Sequence, residues 1–247
     1  MSLNASTFLT PAGSPDIAES RREKSRDGRG EMIVRNEVPI HQLISNRTTS
    51  RAFSTRPVAA GDLRAVLEAA RWAASSYNAQ PWKFVVARRE DASRFENILS
   101  VLMPVNREWA STARVLIVTV ARANFPHNEK PNRHAWHDVG LATGNLMTQA
   151  EAVGLVTGPM GGFDPKAARE KLHIPEGWEP VAVIALGYPA NEEANAGAGA
   201  HPAKPRERKP LEEIVYGGDW GKPIQFASED ADSYEETHEW GTRLATQ

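Results

Sequence analysis

The stretch from His134 to Val153 decides most of what this chain can become. Its apolar positions Val139, Leu141, Ala142, Leu146, Met147, Ala150 and Val153 recur at helical spacing but fall on more than one side of the predicted helix. Such a helix is buried on several faces. Gly140, Ala142 and Gly144 leave room for another helix to come close, which suits either a core helix or the centre of a subunit interface.

The rest of the chain alternates helix and strand around it. Asp62 can cap a helix whose apolar residues are Leu63, Val66, Leu67, Ala70 and Ala73, and the run Ser75 to Pro81 breaks it. Residues 82–87 read as a strand, 92–102 as a helix and 115–120 as a buried strand. Phe163-Asp164-Pro165 starts a short helix running to Leu172, and 181–186 is a further strand. The pattern predicts one α+β domain over residues 32–215, preceded by a polar tail at 1–31 and followed by an arm at 216–247. The tail has almost no apolar periodicity, so it cannot bury enough surface to offset the entropy of ordering. Residues 190–203, rich in Ala, Asn and Gly, read as a flexible connection. Trp220, Phe226, Tyr234 and Trp240 are spaced through the polar arm, as anchors to another surface would be.

Composition excludes several kinds of chemistry. With no cysteine the chain has no disulfide, thiolate metal site, iron–sulfur cluster or cysteine nucleophile, so redox chemistry would have to come from a bound cofactor. A formal charge of −2 gives no reason to expect a nucleic-acid partner, and no run is long and apolar enough for a membrane span. No secretory signal is evident, which predicts a cytoplasmic protein. His134-x-x-His137-Asp138 has ligand-like helical spacing, yet no third ligand lies nearby and no metal is expected. Nucleophile elbow, phosphate-binding lysine loop and dinucleotide glycine fingerprint are all missing.

What remains is a distinct set of polar residues. Arg47, Thr48, Thr49 and Arg51 lie near one end of the domain, and Arg206 and Arg208 near the other. A guanidinium donates two parallel charge-assisted hydrogen bonds to phosphate oxygens, and a small hydroxyl can fill the remaining lone pairs. Between the clusters, Ser75, Ser76, Asn78 and Gln80 can serve the polar edge of a ring. Pro159-Met160-Gly161-Gly162 provides backbone that can approach a flat ligand without a Cβ clash.

In this order the motifs resemble the FMN-dependent nitroreductase family. The resemblance rests on Arg47-x-Thr49-x-Arg51-x-Phe53, Ser-x-Asn78-x-Gln80-Pro81-Trp82, Asp138-Val-Gly140 to Met147, Gly158 to Asp164, Val183 to Pro189, and Arg206-x-Arg208-x-Pro210. It covers roughly residues 38 to 215. It implies an intertwined homodimer built on a mixed, mainly antiparallel sheet surrounded by helices, with the flavins lying between subunits. It also implies NADH or NADPH as electron donor, a ping-pong cycle and a quinone, nitroaromatic or related small molecule as acceptor.

Residue by residue, the resemblance places Arg47, Thr49 and Arg51 on the phosphate, ribityl chain and pyrimidine edge, with Arg51 nearest the ring. Ser75, Ser76 and Asn78 would meet the flavin from the other subunit, Pro159 to Gly162 would lie against one ring face, and Arg206 and Arg208 would grip the phosphate. Asn106 stands near where the family has an amide contacting the ring, but Arg107, Glu108 and Trp109 follow where some relatives have lysine. Proline is common in the family where Ala74 stands. No side chain is expected to act as nucleophile. The segment 121–136, with Phe125, His127 and Trp136, is expected to shape the acceptor side. A specialised FMN-dependent dehydrogenase or reductive dehalogenase, and a non-catalytic flavin-binding protein, are alternative readings of the same residues. A phosphate-binding protein without flavin would leave the Asn/Gln loop and the Gly-Gly turn without a role.

Overall fold

The computed structural model describes residues 38, 40–190 and 207–224, which fall into two compact units, one of residues 38 and 40–190 and one of residues 207–224. The N-terminal tail, Arg206, residues 191–203 of the expected connection and residues 225–247 of the arm lie outside the described residues.

The larger unit opens with a single helical turn, α1 (Gln42–Ser45), and is organised by the strand β2, Val115–Arg122, which is buried along nearly its whole length. It pairs antiparallel with β1, Trp82–Arg88, on one side and with β4, Trp178–Gly187, on the other. Antiparallel β3, Val156–Met160, completes the four-stranded order β1-β2-β4-β3. The near-continuous apolar run of β2 follows from cover on both faces, since successive side chains point to opposite sides of a sheet. Leu116, Val118 and Val120 meet Phe95, Ile98 and Leu99 of α3 (Ala92–Leu99), Trp109 and Ala110 of α4 (Pro104–Ala110) and Ala168 of α6 (Pro165–Lys171). Val115, Ile117 and Ala121 meet Leu63, Val66 and Ala70 of α2 (Ala60–Arg71) and Val139, Ala142, Leu146 and Ala150 of α5 (Ala135–Ala152). The expected α+β architecture, an antiparallel sheet surrounded by helices, is what forms. A parallel component enters through the bridge between Thr49 and Thr157.

The ladder between β2 and β4 slips at Thr119/Val120, and the Thr119 side chain fills the gap. Its hydroxyl accepts from the Ala182 N–H at 3.1 Å and donates to the Ala182 carbonyl at 3.3 Å, so this fully buried polar residue satisfies the backbone groups the bulge frees. Pro180 sits opposite Val120 next to this bulge, a place where a strand tolerates a residue that has no N–H to donate.

Several local expectations change. Asp62 does not cap α2: Ala59 is the N-cap, and the Asp62 carboxylate accepts from the Tyr188 hydroxyl at 2.6 Å. The helix expected to run to Leu102 stops at Leu99, since Leu102 forms a bridge to Phe163, and Pro104 then starts α4 from its first position. Val156–Met160, which carries no strand signal in the sequence, is strand β3. Along α5 the described chain buries one face only. Gly140, Leu141 and Asn145 are exposed, and a Cβ at Gly140 or Gly144 would meet nothing within 4 Å.

In the smaller unit, a short turn at Leu211–Glu213 leads into a tight hairpin closed by the bridge between Tyr216 and Pro223. Gly218 and Gly221 take left-handed conformations there, and the exposed Trp220 ring stands edge-on to Tyr216 at 5.2 Å. Among the described residues no helix is long and apolar enough to cross a membrane.

Candidate functional site

The Arg47–Arg51 segment is fixed by its backbone rather than by its side chains. Ser50 donates its N–H to the Thr157 carbonyl at 2.9 Å, and the Ser50 hydroxyl donates to the Ala52 carbonyl at 2.8 Å. The chain then crosses to the end of β4, where Phe53 bridges Pro189 and Ser54 donates to the Tyr188 carbonyl at 2.9 Å. This course holds Thr48, Thr49 and Arg51 exposed. Among the described residues the Arg51 guanidinium has no hydrogen-bond or ion-pair partner, although Arg88, Arg114, Arg122 and Arg169 are all paired to carboxylates.

Glycine is required where this segment meets β3. A Cβ on Gly158 would stand 2.5 Å from the Ser50 carbonyl oxygen and 2.8 Å from the buried Trp109 ring. Both neighbours are rigid, so hydrogen is the only substituent that fits. The five residues of β3 then lead from Thr157 toward Gly161 and Gly162, a strand length of about 16 Å. Met160 is buried in the core, so it offers a ligand its backbone and not its side chain.

Asn106 finds a definite place here. From α4 its Nδ2 donates to the Gly162 carbonyl at 2.9 Å, and the same carbonyl accepts from the Met103 N–H at 3.0 Å. That amide therefore shapes the glycine turn. A Cβ on Gly162 would lie 2.6 Å from Asn106 Nδ2, so turn and amide fit each other closely. The structure thus brings Arg47 to Arg51, Asn106 and Pro159 to Gly162 onto one connected framework around β3.

Ser75, Ser76 and Asn78 stand elsewhere. Their loop enters β1, at the opposite edge of the sheet from β3, three strand spacings or about 14 Å away. It is tightly wound: Asn78 donates its N–H to the Ser75 carbonyl at 2.9 Å, Ala79 to the Ser76 carbonyl at 3.0 Å, and Gln80 to the Ser75 hydroxyl at 3.0 Å. Tyr77, Asn78 and Gln80 all have positive φ, of 54°, 50° and 45°. Left-handed backbone costs a non-glycine residue roughly 1–3 kcal/mol and persists where the surroundings over-determine it. It is easiest for Asn78, whose short polar side chain suits that region.

Tyr77, 83% exposed, stands edge-on to Phe125 at 5.7 Å and lies 5.8 Å from His127, while Phe125 and His127 are 5.3 Å apart. The segment expected to flank the acceptor side thus meets the polar loop in an aromatic corner. Trp136, in the first turn of α5, is half exposed. Arg208 is exposed in the smaller unit, where its guanidinium donates to the Glu207 carbonyl at 2.8 Å.

Sequence reasoning overlooked Asp138 as a structural partner. Its buried carboxylate accepts the Ser76 N–H at 3.0 Å through Oδ2 and meets His137 Nδ1 at 3.0 Å through Oδ1. The spacing of His134, His137 and Asp138 is ligand-like with no metal expected, and the structure turns the Asp138 carboxylate to the site loop. Nothing in one sequence places Trp109 against Gly158 either, where the fold sets its ring.

These residues suit a flavin mononucleotide: an unpaired exposed cation, hydroxyls beside it, a glycine turn open to a flat ring and a polar loop. Residues 44–188 match the nitroreductase family. An NADH dehydrogenase of Thermus thermophilus is 31% identical over 197 residues, covering 68% of this chain and 91% of that protein. The FMN reductase [NAD(P)H] of Bacillus subtilis is 26% identical over 236 residues, covering 85% of this chain and 90% of its own. A solved structure described as an oxidoreductase containing FMN superimposes with a TM-score of 0.70 at 31% identity, covering 76% of this chain and 96% of the other.

Proposed function

The chain belongs to the nitroreductase family, and from that premise we propose that it is an FMN-dependent NAD(P)H oxidoreductase acting as a homodimer on small-molecule acceptors such as quinones or nitroaromatics. The observation that carries this reading is the crossing of Arg47–Arg51 over β3. There the 2.9 Å bond from Ser50 to Thr157 joins the cationic segment to the strand leading into Gly161 and Gly162. The residues suited to a phosphate and those suited to a flat ring thereby become parts of one framework. The FMN reductase and the FMN-containing oxidoreductase among its relatives support the same cofactor.

Bound FMN would supply the redox chemistry, taking hydride from NADH or NADPH and, once the nicotinamide has left, delivering it to the acceptor in a ping-pong cycle. The protein's part is to bind and tune. Arg47, Thr48, Thr49, Arg206 and Arg208 would hold phosphate and ribityl oxygens, and Arg51 would place positive charge where reduction adds negative charge to the ring, favouring the reduced form. Pro159 to Gly162 would offer backbone to one ring face, with Asn106 keeping the Gly162 carbonyl turned toward α4. Ser75, Ser76 and Asn78 would reach the cofactor of a second subunit, which their place at the far edge of the sheet from β3 supports. The open face of α5 at Gly140, Leu141 and Gly144 has the small-residue surface a second copy needs. Tyr77, Phe125 and His127 would flank the acceptor, giving an aromatic surface for a planar molecule.

The test is the absorbance spectrum of the purified protein followed by anaerobic addition of NADPH and then NADH. A flavin spectrum that bleaches with either nucleotide supports the proposal. Flavin that binds but never bleaches moves the reading to a specialised or non-catalytic flavoprotein. Failure to take up added FMN overturns it.

A further inference from the structure

We infer that Asp138 is a positioning residue for the Ser75–Gln80 loop, setting the shape in which Ser76, Tyr77 and Asn78 meet their ligand. The inference rests on the flavin reading only for what that ligand is. The loop's other bonds are internal: those donated by the Asn78, Ala79 and Gln80 N–H groups end on Ser75 or Ser76, the Gln80 side-chain amide donates to the Asn78 carbonyl, and all would move with the loop as one body. Its downstream end is tied to the sheet, where Arg122 donates its N–H to the Pro81 carbonyl at 2.7 Å. Its upstream end leaves α2. Between these ends, Asp138 reaches in from α5, 62 residues away in sequence, and takes the Ser76 N–H.

Three features make this carboxylate suited to the task. Its side chain is only 3% exposed, so its bond to Ser76 is protected from competing water. Both oxygens are engaged, one by Ser76 and one by His137 Nδ1, so the group cannot rotate without losing a partner. A backbone N–H held by a carboxylate makes a charge-assisted bond, stronger than the neutral bonds inside the loop. Immediately after this anchor come the left-handed residues Tyr77, Asn78 and Gln80, a conformation the chain does not adopt without restraint. Asp138 supplies that restraint without touching the ligand.

The test compares Asp138→Ala and Asp138→Asn with the unaltered chain in two readouts. The first is hydrogen–deuterium exchange of the peptide spanning Ser75 to Trp82, measured without added flavin. The alanine variant is expected to speed exchange at Ser76 to Gln80 by about tenfold or more, with β2 and β4 unchanged. The asparagine variant, which keeps an oxygen acceptor at the same reach, should recover most of the protection. The second readout is titration with FMN, where alanine should weaken binding by about tenfold and asparagine by far less. Unchanged loop exchange in Asp138→Ala overturns the inference, as does a loss of protection spread evenly over α5 and the sheet.

If the alanine variant does not fold, Ser76→Pro against Ser76→Ala isolates the same bond, because both remove the hydroxyl and only proline removes the N–H. Faster exchange in the proline variant alone supports the role, and equal exchange in the two overturns it. A protein that takes up no FMN defeats the cofactor reading, and the exchange experiment still decides the role of Asp138.

Discussion

The carbonyl oxygen of Ser50 lies 2.5 Å from where a β-carbon on Gly158 would stand. Residue 158 is therefore the point at which the Arg47–Arg51 segment is clamped to β3. Gly158→Ala is expected to destabilise the fold by about 1–3 kcal/mol, because neither the Ser50 backbone nor the Trp109 ring can retreat cheaply. Thermal unfolding checks the stability. An FMN titration on the folded fraction checks whether displacing Ser50 also weakens the site.

Gly162 and Asn106 should behave as a pair. Gly162→Ala alone brings a methyl to within 2.6 Å of Asn106 Nδ2, and Asn106→Ala alone removes the hydrogen bond to the Gly162 carbonyl. In the double variant the clash has no partner, so its cost should fall below the sum of the two single changes by about 0.5 kcal/mol or more. Chemical denaturation of all four proteins measures this coupling.

Arg51→Ala should weaken FMN binding by about tenfold or more, the loss expected for a charge-assisted bond to the ligand, with little change in thermal stability of the flavin-free protein. Arg208→Ala should do the same. Flavin fluorescence titration decides both, and unchanged affinity in both variants would remove the arginines from the site.

Tyr188 links stability to alkaline pH. The hydrogen bond to the Asp62 carboxylate, then burial, raises its phenol above the usual value of 10. The folded state thus favours the neutral phenol, and this contribution is complete below pH 10 and is lost as pH rises through the raised value. Melting temperatures followed from about pH 8 upward should fall more steeply for the unaltered chain than for Tyr188→Phe, which has no proton to lose.

Gly144→Leu tests the open face of α5. Within one chain a β-carbon there meets nothing within 4 Å, so subunit stability should change little. If a second copy packs on this face, the variant should sediment as a monomer where the unaltered chain sediments as a dimer. An unchanged sedimentation coefficient would place the interface elsewhere.

How far the sequence reveals this molecule depends on whether a role belongs to a side chain or to the backbone. The run at Val115–Val120 announces a strand buried on both faces, and the alternation of β2 between its two helix layers bears that out. Arg47, Thr49 and Arg51 are readable because guanidinium and hydroxyl groups have chemistry of their own. Val156–Met160 is not readable as strand, since Gly158 and Pro159 are poor strand formers. Both are tolerated because β3 is an edge strand and a close crossing demands the glycine. Asp138 is hidden for another reason: its partner is a backbone N–H, and every residue but proline has one. The open face of α5 reads as apolar and small from the sequence, but only the fold shows that the described chain leaves it bare.

The bond between Ser76 and Asp138 also sets an order of events during synthesis. The loop leaves the ribosome before the helix that anchors it, and 62 residues of further chain must follow before the carboxylate exists to receive its N–H. Until α5 has docked, the left-handed turn at Tyr77, Asn78 and Gln80 has only the loop's short internal bonds and no anchor from α5. Competence at the loop arrives in one late step, with the docking of α5.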